Sequence, residues 1–149
     1  MDLQIREASV EEAFEVLHRI VEFAAPISLA KLTARLANKS ALILVAENQQ
    51  QLVGVKIGYA LDKQVFYSWL GGVLPAGRGH GVAQALLETQ EAWVIDQGYQ
   101  QLTVKSRNRF PAMVRLLMHN GYLIEDIEKK EGVLDYRLHF RKDWLKNNA

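Results

Sequence analysis

Hydrophobic and polar residues along the chain follow two periods, and each period predicts its own kind of element. Alternation at every second residue, or a short apolar run, predicts a β-strand. Seven such runs occur, at Leu3 to Glu7, Ala41 to Glu47, Leu52 to Ala60, Gln64 to Val73, Leu102 to Lys105, Tyr122 to Lys129 and Val133 to Phe140. The last two flank Lys130-Glu131-Gly132 and are predicted to form a hairpin.

Apolar residues at intervals of three and four predict four helices. They run from Ser9 through Phe23, from Ser28 to Leu36, from Ala83 to Gln97, and from Pro111 to Gly121. Ser9 is a suitable N-cap for the first helix, and Glu12 three residues later completes a capping box. Pro26 ends that first run, because proline removes a helical hydrogen bond.

The order of elements is β α α β β β α β α β β, and it restricts the fold. Only the middle of the chain supports a parallel crossover, because only there does a long helix join two strands. We therefore predict an α/β (α+β) fold with a mixed, mostly antiparallel central sheet of about seven strands and about four flanking helices. A length of 149 residues suits one domain, 1–149.

Composition excludes several classes of function. A net charge of +1 lacks the basic excess of a nucleic-acid binder, and the absence of cysteine excludes disulfides and acyl-cysteine intermediates. The four histidines lack metal-ligand spacing, so no metal site is predicted. No apolar run reaches ~18 residues, and the N-terminus has no apolar signal core. We expect a cytoplasmic protein without a membrane partner.

Glycines concentrate between the fourth strand and the third helix, where residues 71–83 read GGVLPAGRGHGVA. The amides of Gly79, His80, Gly81, Val82 and Ala83 are expected to form a concave nest at the helix N-terminus. Such a nest binds phosphate, because the amides and the helix dipole both favour negative charge. The alternative is an ordinary strand-to-helix turn that uses glycine only for its geometry.

Three known phosphate-binding patterns are candidates for this loop. A Walker loop fails because the chain contains no Gly-Lys pair, and a dinucleotide fingerprint fails in both possible registers. The pattern Arg/Gln-x-x-Gly-x-Gly/Ala fits, with Arg78, Gly81 and Ala83 in its three defined positions. Gly81 would let a phosphate approach the main chain closely, and Arg78 would add positive charge.

This loop resembles the pyrophosphate loop of the GNAT superfamily of N-acetyltransferases. Val73-x-Pro75, the closing Gly121-Tyr122 and the element order are also similar to that superfamily, so the resemblance covers nearly the whole chain. It implies acetyl-CoA as co-substrate and direct transfer of its acetyl group to a primary amine of a small molecule or peptide. The alternative is a non-catalytic CoA-binding sensor or interaction module on the same fold, and either could be a monomer or a homodimer.

The resemblance also implies a bulged fourth strand that splays from the fifth. The pantetheine arm of the coenzyme would then contact the main chain at Gly71, Gly72 and Val73. The pair of glycines is also compatible with a bulge that only makes room for nearby tryptophans. Where many relatives have a general-acid tyrosine, this chain has Leu117. Asn108 is a candidate for contacting the pantetheine or the thiolate. Alternatively, its side chain forms hydrogen bonds with main-chain groups of its own loop.

The remaining catalytic candidates are less specific. Tyr67 and Ser68 fall on opposite faces of the fourth strand, and either could orient a water or the acceptor, although core packing explains them as well. Glu22, Glu47 and His119 are further candidates for the base. A basic group around the end of the fifth strand could contact the coenzyme 3′-phosphate or form a solvated rim; it comprises Lys105, Arg107, Arg109 and Arg115.

Overall fold

The structure, a computed structural model, describes residues 1–20 and 27–144. The strands are β1 (Leu3–Glu7), β2 (Ala41–Asn48), β3 (Gln51–Ala60), β4 (Val65–Val73), β5 (Gln101–Arg107), β6 (Leu123–Glu128) and β7 (Arg137–Asp143). The α-helices are α1 (Val10–Leu17), α2 (Leu29–Leu36), α3 (Val82–Asp96) and α4 (Pro111–His119). Single 3₁₀ turns occur at Pro75–Gly77 and Val133–Asp135.

The seven strands form one sheet in the order β1-β2-β3-β4-β5-β7-β6. Only β4 and β5 are parallel, and every other neighbouring pair is antiparallel. This architecture confirms the predicted α/β fold with a mixed, mostly antiparallel sheet. The parallel pair is the one joined by α3, as a helical crossover requires.

Strands β4 and β5 separate part-way along their length, as the family resemblance implies. Val65 to Ser68 pair with Gln101 to Val104, and the parallel ladder stops there. On the other side of β4, Ile57 of β3 pairs with Leu70 and Gly58 pairs with Ser68, so Trp69 has no partner in this ladder. The bulge therefore lies at Trp69 and not at the two glycines, and β4 bends away from β5 just beyond it.

Apolar residues on both faces of the sheet are buried, and each face is covered by its own pair of helices. One core, under α3 and α4, contains Phe66, Leu86 and Phe140. The other core, under α1 and α2, contains Val16 and Ile57. Two-sided burial explains why the central strands read as nearly continuous apolar runs. No helix within residues 1–20 and 27–144 is long and apolar enough to cross a bilayer.

The start of α1 agrees with the sequence pattern, but its described end comes earlier. The Glu12 amide donates to the Ser9 hydroxyl at 3.1 Å, and the Glu12 carboxylate accepts from the Ser9 amide, so the capping box is present. The helix ends at Leu17, because the amides of Arg19 and Ile20 bond three residues back and tighten the last turn. The prediction is wrong for residues 18–20, and residues 21–23, with Pro26, lie outside the described residues.

The predicted strand Val133 to Phe140 is wrong at both ends. Val133–Asp135 is a 3₁₀ turn, held by bonds from Asp135 to the carbonyl of Gly132 and from the amide of Arg109 to the carbonyl of Leu134. The strand begins at Arg137 and continues to Asp143, because β7 lies between β5 and β6 and pairs with both. Ladder bonds on two sides extend the strand through a polar segment that alternation does not reveal.

Gly58 provides a test of the packing between β3 and β4. A Cβ atom at this position would lie 2.4 Å from the buried Phe66 ring and 2.7 Å from the Tyr67 carbonyl oxygen. We expect Gly58→Ala to lower the free energy of unfolding by about 2 kcal/mol or more in urea denaturation. Gly132→Ala is the matched control, since a Cβ there meets nothing within 4 Å. Equal stability of the two variants would contradict this packing.

Candidate functional site

The glycine-rich loop before α3 is open on its outer side. Gly79 and Gly81 have positive φ angles of 78° and 74°, which other residues adopt only with strain. A Cβ atom added at either position meets nothing within 4 Å. The two glycines therefore border free space that side chains at these positions would occupy. A ligand can approach the main chain there closely.

The N-terminus of α3 adds positive electrostatic potential to this space. Gly81 is the N-cap residue, so no side chain caps the helix, and the first turn contains no acidic residue. The first helical amide with a backbone acceptor is that of Ala85, which donates to the Gly81 carbonyl at 3.0 Å. In the described part of the chain, the earlier amides of α3 have no backbone acceptor, and together with the helix dipole they favour an anion.

Two side chains border the loop. The exposed Arg78 donates from Nε to the Val73 carbonyl at 3.2 Å, which fixes its guanidinium beside the end of β4. His80 is also exposed, between the two left-handed glycines. Gly77 is buried beneath the loop, and a Cβ there would lie 3.0 Å from Val53 and Val73. This close packing holds the loop against the sheet.

The open segment of β4 leads from this loop to the point where β4 and β5 part. Gly71, Gly72 and Val73 are half-buried, and their bonds to β3 leave the opposite edge of the strand unpaired. That edge presents main-chain donors and acceptors to an extended ligand, as an additional strand would use them. A Cβ at Gly72 would lie 2.4 Å from Ile20 Cδ1, whereas one at Gly71 would make only ordinary contacts.

Tyr67 and Ser68 lie at the vertex of the split between the strands. Ser68 is the last β4 residue paired with β5; it faces α3 and is 4% exposed. Tyr67 is half-buried on the opposite face. Burial raises the pKa of Tyr67, with a smaller contribution from Tyr59 and opposing ones from Arg137 and Arg35. The phenol is therefore protonated at neutral pH and suits hydrogen-bond donation better than proton abstraction.

A family model described as acetyltransferase (GNAT) domain matches residues 6–112. The chain belongs to the GNAT family of acetyl-CoA-dependent N-acetyltransferases. Members of this family acetylate amine acceptors. The glycine loop before α3 and the whole α3–β5 region fall within the matched residues. The comparison with curated proteins yields no match.

Solved structures share the fold over nearly the entire chain. Ard1 from Thermoplasma volcanium superposes with a TM-score of 0.85 at 17% identity, covering 98% of this chain and 100% of its own. The ribosomal-protein-S18-alanine N-acetyltransferase from Escherichia coli gives 0.84 at 15% identity, covering 99% and 98%. The putative acetyltransferase yncA from Salmonella typhimurium, solved with acetyl-CoA, gives 0.78 at 17% identity, covering 100% and 98%. At these identities the likeness shows the GNAT fold alone.

Helix α4 differs from the GNAT pattern at Leu117, the position of the general-acid tyrosine in many relatives. Leu117 is 1% exposed and belongs to the core under α3 and α4. The nearby Tyr122 is also buried, and its hydroxyl donates to Glu91 Oε2 at 2.7 Å. Burial and this hydrogen bond raise the pKa of Tyr122 far above its usual value. Leu117 has no acidic group, and the buried hydroxyl of Tyr122 is not an accessible acid.

Asn108 lies between β5 and α4, and its side chain is anchored. Nδ2 donates to the Val133 carbonyl at 2.9 Å, which ties the loop to the 3₁₀ turn before β7. This contact supports a structural role for the amide nitrogen of Asn108 and leaves its Oδ1 atom as the group for any ligand contact.

The other candidate bases have structural surroundings of their own. Glu47 accepts from Arg6 at 2.7 Å, and Arg6 also binds Glu12, whose pKa is lowered to about 2 chiefly by that hydrogen bond. These three residues border a cavity of about 660 Å³, whose lining also includes Leu74, Pro75 and Ala76 ahead of the glycine loop. His119 is exposed at the C-terminus of α4. Glu22 lies outside the described residues.

The basic group around the end of β5 is divided in the structure. Arg109 binds Asp135 through two nitrogens, and Arg107 lies 3.9 Å from the same carboxylate. Arg115 is exposed on α4. Lys105 lies over the Tyr67 ring, on the face of the sheet covered by α1 and α2. Within residues 1–20 and 27–144, no three His, Cys, Asp or Glu side chains cluster as metal ligands.

Lys56 is a buried cation next to the open strand. It is 8% exposed, pairs across the sheet with Gly71, and lies on the face covered by α3. Burial lowers its pKa to about 8, although Glu91 acts in the opposite direction. The sequence signal that reveals it is a single charge within an apolar strand, Val53 to Ile57. Close by, Gln90 is fully buried, and both polar atoms of its amide lack a partner among the described residues.

Substitution of Lys56 tests its desolvation. Its pKa falls from the usual 10.5 to about 8 on folding, so between these values the unfolded chain binds more protons. Stability due to Lys56 therefore rises with pH across that window and is lowest below pH 8. We expect Lys56→Met to stabilise the protein by about 2 kcal/mol at pH 7 in urea denaturation, with the gain shrinking toward pH 10.5.

The exposed Lys63 in the β3–β4 turn supplies the control. Lys63→Met is expected to change stability little at any pH. A Lys56→Met variant that is no more stable than the wild type at pH 7 would contradict a desolvated ammonium at position 56.

Proposed function

We propose that the protein transfers the acetyl group of acetyl-CoA to a primary amine of a small molecule or peptide, which attacks the thioester directly. The observation that carries this proposal is the open, left-handed glycine loop at the N-terminus of α3, continuous with the unpaired edge of β4. A phosphate site joined to a strand edge suits a ligand with a pyrophosphate followed by an extended amide chain.

In this proposal each part of the coenzyme has its own residues. The pyrophosphate contacts the amides of Gly79, His80, Gly81, Val82 and Ala83, with Arg78 beside them. The pantetheine arm lies along Gly71, Gly72 and Val73, and its amides bond to main chain as a further strand would. The reactive thioester then reaches the vertex near Ser68. The structural neighbour yncA was solved with acetyl-CoA, which supports acetyl-CoA as the ligand.

The chemistry requires a neutral amine, a donor for the developing oxyanion, and a proton for the leaving thiolate. A lysine-like amine with a pKa near 10.4 costs roughly 4–5 kcal/mol to deprotonate at pH 7. An unpaired main-chain amide between Leu70 and Val73 can donate to the oxyanion without any special side chain. The neutral amine nitrogen bonds to the carbonyl carbon and the carbon–sulfur bond breaks. The nitrogen loses one proton and the departing thiolate gains one, so the products are the acetylated amine and CoA thiol.

Three residues are proposed to assist at the vertex. Tyr67, which remains protonated, donates a hydrogen bond that orients the acceptor or a water molecule. Ser68 does the same from the face covered by α3. Asn108 contacts the pantetheine or the thiolate through the amide oxygen that its bond to Val133 leaves available.

A direct assay tests the function. The protein is incubated with acetyl-CoA and a panel of primary amines, and the release of CoA thiol is followed over time. The mass of each product is measured by mass spectrometry. We expect an acceptor to gain one acetyl group for each thiol released. Tight coenzyme binding without transfer to any amine would favour a CoA-binding module, an alternative supported by the buried Leu117 on α4.

Paired glycine variants at the two ends of α3 test the phosphate site. Gly81 and Gly98 both have positive φ and open space around a Cβ, so Gly81→Ala and Gly98→Ala should each destabilise the protein by about 1 kcal/mol. Only the methyl group at position 81 would occupy the space proposed for the pyrophosphate. We expect calorimetry to show acetyl-CoA affinity reduced about tenfold or more in Gly81→Ala and unchanged in Gly98→Ala. Equal affinities in the two variants would exclude this site.

A further inference from the structure

The sheet face under α1 and α2 carries three aromatic rings beside the split between β4 and β5. Tyr59 lies at the centre, with its ring 5.5 Å from that of Tyr67 and 5.9 Å from that of Trp69, both in edge-on arrangements. Tyr59 is 6% exposed, whereas the other two are half-buried. We refer to Tyr59, Tyr67 and Trp69 as the aromatic floor. Trp69 shares this face with Tyr67 because side chains two residues apart on a strand point to the same side of the sheet.

Two cations from the α2 side are held on this floor. The guanidinium carbon of Arg35 lies 4.6 Å from the centre of the Trp69 ring, and its Nη1 donates to the Tyr59 hydroxyl at 3.2 Å. The Lys39 ammonium lies 4.4 Å from the centre of the Tyr59 ring and donates to the Arg35 carbonyl at 2.6 Å. These contacts orient both charges, although both side chains are solvent-accessible. Both residues also border a groove of about 450 Å³ along α2.

A third cation reaches the floor from the other side of the split. The ammonium of Lys105 on β5 lies 5.3 Å from the centre of the Tyr67 ring. The positive charges of Arg137 on β7 and of Arg35 both act to lower the pKa of Tyr67, against the larger effect of burial. Positive charge therefore surrounds the vertex on this face from both α2 and the far half of the sheet.

Nearby carboxylates do not neutralise these cations. Among residues 1–20 and 27–144, Arg35, Lys39 and Lys105 form no ion pair. Asp135 is bound by Arg109, and Glu128 is bound by His139 and Lys130 and also faces Arg137 across the strands. Among the described residues, the three cations on the floor are thus oriented by the rings and have no carboxylate partner.

This charge has two consequences for an amine that reacts at the vertex. It repels a molecule whose only charge is its ammonium, and it lowers the pKa of an amine bound there, which favours the neutral nucleophile. A molecule that also carries an anion gains charge-assisted hydrogen bonds instead, and the Arg35 guanidinium can hold a carboxylate or phosphate through two nitrogens.

We propose that the acceptor is an amine that also bears a carboxylate or phosphate group, which Arg35, Lys39 and Lys105 bind above the aromatic floor. This inference rests on the proposed function, because the floor is an acceptor site only if the thioester reaches the vertex between β4 and β5. It assigns a substrate class to the site and excludes polyamines and basic peptides as preferred acceptors.

Matched pairs of acceptors test the proposal by initial rates at saturating acetyl-CoA. One arm compares O-phosphoethanolamine with ethanolamine, a second compares glycyl-glutamate with glycyl-glutamine, and spermidine represents cationic acceptors. We expect kcat/KM to be about tenfold or more higher for the anionic member of at least one pair. The pair that responds identifies phosphate or carboxylate. Equal rates within both pairs, or a preference for spermidine, would overturn the proposal.

Charge variants locate the effect on the floor. Arg35→Gln and Lys105→Gln are expected to reduce the preference for the anionic acceptor mainly through KM, while acetyl-CoA affinity stays unchanged. Lys63→Gln removes an exposed lysine from the β3–β4 turn, at the end of β4 opposite the split, and should leave the preference intact. An equal effect from Lys63→Gln would point to net charge alone and contradict a built site.

Trp69 gives a readout that does not depend on turnover. In a Trp93→Phe, Trp144→Phe background it is the single tryptophan, and an anion bound to Arg35 above it is expected to change its fluorescence. Saturable changes with the anionic amines but without acetyl transfer would support the anion site and reject the proposed function. Transfer without any charge preference would support the function and reject the anion site.

Discussion

The early end of the β4–β5 ladder is the constraint on which the rest of this structure depends. Parallel pairing stops after Ser68, and the bulge at Trp69 turns the remainder of β4 away from its neighbour. Beyond that point, Gly71 to Val73 have no partner strand on this edge among the described residues, and the Val73 carbonyl accepts from Arg78. The gap connects the two faces of the sheet, so a donor approaching from the α3 side and an acceptor from the α1–α2 side can meet at one point.

Positive potential on both sides of this gap has different physical origins. On the α3 side it comes from main-chain amides and the helix dipole at Gly81, where no side chain interferes. On the other side it comes from guanidinium and ammonium groups that aromatic rings orient, such as Arg35 over Trp69. The first arrangement suits a phosphate in contact with backbone, and the second suits an anion on a variable acceptor. This division agrees with a family whose members share a coenzyme and acetylate different amines.

Local signals predicted the fold well, and remote contacts explain what they missed. β1 and the Ser9–Glu12 capping box depend on neighbouring residues and were correct. The 3₁₀ turn at Val133–Asp135 depends on Arg109, far away in sequence, and β7 extends because two strands flank it. The loop at Gly79 and Gly81 was visible as a motif. The aromatic floor with its cations was not, because β3 and β4 supply the rings, α2 and β5 supply Arg35 and Lys105, and only tertiary packing brings them to one surface.

The central claim is that the main-chain amides from Gly79 to Ala83 bind the coenzyme pyrophosphate. The most direct measurement is a titration of ¹⁵N-labelled protein with CoA, followed by amide chemical shifts. The account predicts large downfield proton shifts for amides in this loop, because each hydrogen bond to a phosphate oxygen deshields its proton. The amide chemical shifts of Gly98, at the other end of α3, are expected to remain unchanged. Saturable CoA binding that leaves the loop amides unmoved would contradict the account.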